Sequence, residues 1–417
     1  MPQCDRLRGR IRDKTHASRR WRNFGYVGSA PPDLRGSDLD RSSGSGSEPQ
    51  DVTEPVLEGE PATGFGEHLL AVIDEGRRTA TYKLAVLTAL MDCCAEAVSR
   101  GGLAPAGLGT RAIARRVAAI YWPQLRPFPA PGNPLELRQI TNKSAVVIRA
   151  LRTAFLALPS VASWESAESV LPQDQVGQVL DVVELTVARY PLVRLQTLDG
   201  VQQPFLYDIN WGEDVTLARL HAGAGAVVRL RPGAGDQLIR LAPLVRPLVQ
   251  LHWVRMVASL NDLSLMEEDL YRHLFGSERV GFPPCLRSGL RDLQEGACFY
   301  CAEPLAATAV DHFLPWSRWP NDAVENLVIA HPSCNSRKSD RVPGPRALAR
   351  WADRMRDRAA DLASVASGAS WRSDPPRTAS LARSLYAHLP EGAPLWDGPQ
   401  LVTPARRSEL MGLPSAL

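Results

Sequence analysis

Between residues 63 and 158 the apolar positions recur at helical spacing. Leu84, Leu87, Met91, Cys94 and Val98 make one stripe, and Val86, Leu90, Cys93 and Ala97 make a second. Two stripes on one helix predict burial on more than one side. Cys93 and Cys94 lie inside those stripes and read as packing residues before they read as a vicinal redox pair. Thr110 stands where an N-cap is expected, opening a helix toward Trp122 whose polar side carries Arg111, Arg115 and Arg116. A Pro-rich loop follows from Pro123 to Pro134. A longer helix with Lys143, Arg149 and Arg152 then runs to about Leu158.

Residues 174 to 190 predict another helix. Short runs of β composition come next: Leu192 to Leu198, Pro204 to Tyr207, and Val227 to Leu230. Arg231 to Gly235 (RPGAG) is a turn. It lacks the strand, lysine and following Ser/Thr of a phosphate-binding loop, so no nucleotide site is expected there. Asp236 to Asn261 is helical by pattern, with a break or kink expected at Pro243 and Pro247, which have no backbone N–H. Trp211, His221 and His252 have no partner nearby in sequence and read as packing or surface residues. The stretch GLGTRAIARRVAAIYW is loosely similar to a helix-turn-helix segment that enters DNA, but an amphipathic helix with a solvated basic face explains it as well. Residues 63–282 are therefore expected to form a mostly helical domain with a small β element, choosing a substrate or docking a partner.

Composition narrows the class. The chain has 417 residues, 44% hydrophobic and 22% charged, which fits two or three soluble domains. The formal net charge of +3 does not by itself argue for nucleic acid. No apolar run approaches a membrane span. Residues 1–62 begin with an arginine-rich arm (Arg6, Arg8, Arg10, Arg12, Arg19, Arg20, Arg22) and continue into a Gly/Ser/Pro-rich linker around SSGSGSEP. With no apolar segment after it, the arm is not a secretory signal. It reads as a disordered tail or over-extended start, with a transit peptide or a DNA-touching arm as alternatives. The seven cysteines are odd in number and thinly spread, unlike a secreted disulfide framework. A reducing cytoplasmic setting is expected.

Three of those cysteines fall between Cys298 and Asp340. Cys298 and Cys301 form a Cys-x2-Cys pair, and His331 and Cys334 form a His-x2-Cys pair. Two short-spaced pairs suit a tetrahedral structural zinc with no open position. Between them, Thr308 to Phe313 and Asn326 to Ala330 are strand-like, and Pro332 suits the first position of a helix. The order is strand, loop, strand, helix. Asp311 closes the first strand, and Asn335 lies one turn into the helix.

AVDHFLP, ENLVIA and HPSCNSRKSD resemble the HNH endonucleases of the ββα-metal class, in the subgroup with a zinc knuckle. The resemblance covers Cys298 to Asp340, roughly a tenth of the chain. Together with the helical pattern of residues 63–282, it implies a fold that is mainly α with a small α+β zinc-bound ββα-metal nuclease domain at residues 283–344. His312 matches the general base that activates water. Asp311 and Asn335 match the ligands of a catalytic Mg²⁺ or Mn²⁺, and Asn326 matches the Asn that braces the loop between the strands. Lys338 matches a basic residue near the phosphate, with Arg337 beside it. Cys298, Cys301, His331 and Cys334 match the structural zinc ligands. His331 departs from the frequent Cys at that place, and imidazole is an ordinary zinc ligand. The products implied are a 5′ phosphate and a 3′ hydroxyl.

Residues 345–417 are expected to hold C-terminal helices and an irregular tail. A helix over 345–366 carries Arg346, Arg350, Arg354 and Arg358 every four residues, with Arg356 close by. Such a stripe either grips a phosphate backbone or is a solvated face offset by Asp353 and Asp357. A shorter helix runs from Thr378 to His388. The leading expectation is a metal-dependent endonuclease on double-stranded DNA, with restriction or phage defence suggested by analogy of architecture. A homodimer or a partner protein would dock through the helical domain. A non-catalytic zinc module binding nucleic acid or protein is the second reading, and an RNA-directed nuclease the third.

Overall fold

The computed structural model describes residues 62–410, except 75–79, 131, 142–144, 160, 162, 224, 277–280 and 399–400. The N-terminal arm and linker, Lys143 and residues 411–417 lie outside the described residues. From Glu58 onward the chain clusters as one compact unit.

The helical region begins with α1 (Ala62–Asp74) and α2 (Tyr82–Glu96). Both apolar stripes of α2 are buried from Leu84 to Ala95 with only Thr88 partly open, but Ala97, the last position of the second stripe, is exposed at the C-cap. Burial pushes the Cys93 and Cys94 thiols well above their ordinary range, and both are free. They are core residues. Helix α3 (Thr110–Tyr121) lies against α2, followed by a 3-10 turn at Trp122–Leu125. Next come α4 (Val146–Ala157), α5 (Trp164–Val170) and α6 (Gln173–Arg189).

Two expectations for α3 are corrected. Thr110 is inside the helix, with Gly109 at the cap position, and its hydroxyl donates to Glu184 Oε1 at 2.6 Å. The basic side of α3 is ion-paired rather than free: Arg116 is largely covered, while Arg115 stays exposed. Arg111 pairs with Asp181 and Glu184, Arg115 with Glu168, and Arg116 with Glu96 and Glu165. The acidic partners on α5 and α6 are spaced i,i+3, so they match the arginines of the facing helix.

Strands β1 (Gly107–Gly109), β2 (Tyr207–Asp208) and β3 (Val227–Leu230) form an antiparallel sheet with β3 in the middle. Of the expected run from Leu192 to Leu198, only Thr197–Leu198 is strand, because Pro191 opens a helical turn through Arg194. The run from Pro204 also reaches strand only at Tyr207. Upstream, the buried Gln196 side chain replaces a strand partner: its Oε1 accepts from the backbone N–H groups of Phe205, Leu206 and Tyr207. Of the break or kink expected at Pro243 and Pro247, the break is absent: helix α7 (Ala234–Leu260) runs through both prolines. Pro247 is exposed and Pro243 half-buried, four residues apart on the outward side. The opposite face packs on α1, α2 and α8 (Glu267–Phe275), and that packing carries the helix through the two missing N–H groups.

Beyond this lies α9 (Pro284–Leu293), then β4 (Ala309–His312), β5 (Leu327–Ala330) and α10 (Pro332–Lys338). Strands β4 and β5 pair antiparallel, with Asp311 opposite Val328 and His312 opposite Leu327. All four residues of β5 are buried. The helix expected over 345–366 is two, α11 (Pro345–Asp357) and α12 (Ala359–Gly368), parted at Arg358 where φ is −119° and ψ 23°. A Cβ at Gly289 would stand 2.9 Å from Val365 Cγ1, so a glycine there permits α9 and α12 to touch. Helix α13 (Pro375–Ala387) packs on α2, which joins the C-terminal part to the helical core. The tail is not irregular. Strand β6 (Val342–Pro343) pairs parallel with β7 (Pro394–Trp396), and β7 pairs antiparallel with β8 (Val402–Pro404). Among the described residues no helix is long and apolar enough to cross a membrane.

Candidate active site and metal centre

The donor atoms of Cys298, Cys301, His331 and Cys334 all lie within 4.8 Å of one another. His331 Nδ1 is 3.3 Å from Cys301 Sγ and 3.9 Å from Cys334 Sγ. A zinc tetrahedron with its usual bond lengths has N···S edges of about 3.6 Å, between those two values. The other ring nitrogen fixes the tautomer. His331 Nε2 is 3.1 Å from the Pro304 carbonyl, which only accepts, so Nε2 carries the hydrogen and the Nδ1 lone pair faces the sulfurs. The His331 backbone N–H also donates to Cys298 Sγ. Burial opposes a charged Cys298, but the backbone N–H groups of Cys301, His331 and Tyr300 more than offset it, and the thiol falls below its ordinary range. Burial and the neighbouring Cys298 and Cys301 push Cys334 up to about 12. Three sulfurs this close become thiolates together only around a cation, so the donor set fits a structural zinc. A second acidic group, Asp181, Glu184 and His221, is of similar size. It already holds the Arg111 guanidinium, 2.6 Å from Asp181 and 3.1 Å from Glu184.

Next to the Cys3His cluster, β4 ends in Asp311 and His312. Their side chains part, as strand alternation requires. Asp311 turns inward and is 7% exposed; its Oδ2 accepts from the Tyr300 hydroxyl and lies 3.1 Å from Lys338 Nζ. His312 turns toward the connecting loop, where its Nε2 lies 2.6 Å from Asp322 Oδ1. Phe282 and Trp316 flank its ring, at centroid distances of 5.9 and 5.2 Å. Asn326 is fully buried. Its Oδ1 accepts from the Leu314 N–H, and its Nδ2 donates to the carbonyls of Leu314 and Asn321, tying both ends of the loop. Asn335 is half-buried on α10, which packs on β4. It is three residues before Lys338, so the two share one helix face. Lys338 Nζ also donates to the His312 carbonyl at 2.8 Å, which holds that face over the end of β4. Thus Asp311, Tyr300 and Lys338 form one contact group and His312 with Asp322 a second, joined through the strand end.

Residues 298–344 match the HNH endonuclease family. This segment is an HNH endonuclease domain. Among curated proteins and solved structures, none matches the chain.

Several residues expected to meet nucleic acid are placed otherwise. Lys338 is fully buried beneath the HNH domain's own helix, and burial pulls its ammonium below the ordinary range despite the nearby Asp311. Arg354 is also buried. Its guanidinium donates to the Leu327 carbonyl at 2.8 Å and the Glu325 carbonyl at 2.6 Å, and burial draws it down to about 10. Arg350 donates to the Tyr300 carbonyl, and Arg358 to the Leu293 carbonyl and Asp361. The stripe therefore faces inward and clamps α11 to the HNH domain. Only Arg346 of the four is exposed, and Arg337 is exposed on α10. An open cleft of about 560 Å³ lies beside α10, lined by Ser336, Arg337, Ser339 and Arg341 together with Trp396 and Leu401.

Sequence reasoning missed Tyr300, Asp322 and Arg341. Tyr300 lies between the two zinc cysteines, where only its phenol sets it apart from Phe299. Asp322 is ten residues after His312 in an irregular loop, and no spacing rule picks it out.

Proposed function

We propose that the chain is a metal-dependent nuclease that hydrolyses phosphodiester bonds of DNA at the HNH domain. The HNH match, with His312 at the end of β4 and Asn335 on the helix that packs across it, carries this reading. Asp311 has one oxygen engaged by Tyr300 and Lys338, leaving the other for a hard cation, and the Asn335 amide oxygen supplies a neutral second ligand. Mg²⁺ or Mn²⁺ held there would neutralise phosphate charge and stabilise the leaving 3′ oxygen. His312 takes a proton from water as the water oxygen bonds phosphorus. The P–O3′ bond breaks, leaving a 5′ phosphate and, once protonated by solvent, a 3′ hydroxyl. Asn326 keeps the loop and strand end in register. The Cys3His cluster holds zinc as a staple. Exposed Arg337 and Arg341 in the cleft beside α10 suit backbone phosphates, replacing the inward-facing Arg350 and Arg354 in that role. A single nuclease core on a large helical region is the arrangement expected of bacterial restriction or phage defence.

The test incubates purified protein with supercoiled plasmid, a matching RNA, and Mg²⁺ or Mn²⁺, beside His312→Ala. The expected result is metal-dependent plasmid cleavage reduced by about 10²–10⁴ in the variant. Equal behaviour of the two proteins rejects His312 as base, and cleavage of RNA alone rejects DNA as the substrate.

A further inference from the structure

We propose that Asp322 is a positioning residue for His312, fixing which ring nitrogen takes the proton from water. The inference rests on the nuclease reading above and adds a residue that reading does not use. His312 Nε2 and Asp322 Oδ1 are 2.6 Å apart. An ionised carboxylate only accepts, so the contact requires hydrogen on Nε2. The neutral ring then has its lone pair on Nδ1, the nitrogen left to act as base.

A surface Asp that merely met a histidine would sit on a free loop. This one is anchored from behind by a segment outside the HNH match. The Trp371 indole N–H donates to the Asp322 carbonyl at 2.6 Å. Its neighbour Asn321 is 1% exposed, donates to Thr378 Oγ1, and accepts from the Ala323 N–H and the Arg377 guanidinium. The Val324 N–H donates to the Arg372 carbonyl. Trp371 also packs on Phe282, which in turn flanks the His312 ring. Both sides of the Asp322–His312 contact are thus held by residues 371–378, and the carboxylate does not have to find the ring.

The experiment uses the full chain with Mg²⁺ on a fluorescent duplex, comparing wild type, Asp322→Ala, Asp322→Asn and His312→Ala. Asp322→Ala lowers kcat by about 10- to 100-fold with KM unchanged, in the range typical of residues that orient a functional histidine. Asp322→Asn, whose amide oxygen accepts the same hydrogen, restores most of the rate. With ¹⁵N-histidine labelling at a pH where the ring is neutral, His312 reports the Nε2–H tautomer in the wild type and a mixture in Asp322→Ala. Wild-type kcat in Asp322→Ala beside an inactive His312→Ala overturns this inference and leaves the nuclease reading intact. So does a loss carried in KM alone, or an unchanged tautomer. Activity surviving in His312→Ala rejects His312 as the base and this inference with it, whereas a wild type without metal-dependent cleavage overturns the nuclease reading, and the tautomer spectra then still decide whether Asp322 orients the ring.

Discussion

Replacing Glu165 by Gln should cost stability in a way that depends on pH. Glu165 opens α5 and meets Arg116 at 2.9 Å and Arg372 at 3.5 Å. Burial works against its charge, but Arg116, Arg372 and Arg377 more than offset this and hold the carboxyl at about 2, from an ordinary 4.5. One pKa unit corresponds to 1.36 kcal/mol, so the ionised carboxylate contributes about 3 kcal/mol. The folded pKa lies below the unfolded one. The contribution is therefore complete above the unfolded pKa and is lost as pH falls through the folded one. Glu165→Gln keeps the shape and removes the charge. The expected deficit in urea unfolding is about 3 kcal/mol at pH 7 and at pH 5, shrinking to about 1–2 kcal/mol at pH 3. A deficit under about 0.5 kcal/mol at pH 7, the level of an ordinary surface change, refutes the reasoning. So does a deficit that stays constant down to pH 3, since a lost packing contact has no such dependence.

Two further predictions separate structural from ligand-facing groups. Arg354→Met should lower stability by roughly 2–4 kcal/mol, because the Leu327 and Glu325 carbonyls lose charged donors, and should leave the salt dependence of DNA binding unchanged. Arg337→Glu with Arg341→Glu should do the reverse, weakening DNA binding and reducing its salt slope by about two with an unchanged melting temperature. A melting temperature unaffected by Arg354→Met returns that residue to the phosphate-gripping role. Metal analysis should find about one tightly held zinc per chain, and Cys298→Ser should release it and expose the domain to protease. Full zinc occupancy in that variant removes Cys298 from the ligand set.

The chemistry of the HNH segment was legible because it is local. The Cys-x2-Cys and His-x2-Cys pairs, the strand ending in Asp311-His312 and the helix starting at Pro332 each depend on spacings of two to four residues, which local geometry converts directly into structure. The stripes of α2 were legible for the same reason. What was lost lies in long-range pairing. Arg350 and Arg354 are periodic on their helix, but periodicity gives a face without saying what covers it. The carbonyls that claim them belong to Tyr300, Leu327 and Glu325, 27 to 50 residues away. Pro243 and Pro247 carry a real local penalty, and the packing of α7 on its neighbours keeps the helix from breaking there. The ion pairs of the α3 arginines and the sheet made from the C-terminal tail were missed for the same reason.

Sequence by itself determined the HNH domain, the clustering of Cys298, Cys301, His331 and Cys334 and the helical character of residues 63–282, because each follows from composition or short-range spacing. Only the tertiary structure decided which cations face water, which carboxylate meets His312 and which segment holds that carboxylate in place. A charged side chain carries no record in the sequence of whether its partner is solvent, a distant carboxylate or a buried carbonyl. Its energy depends on the dielectric and the neighbours that folding brings to it.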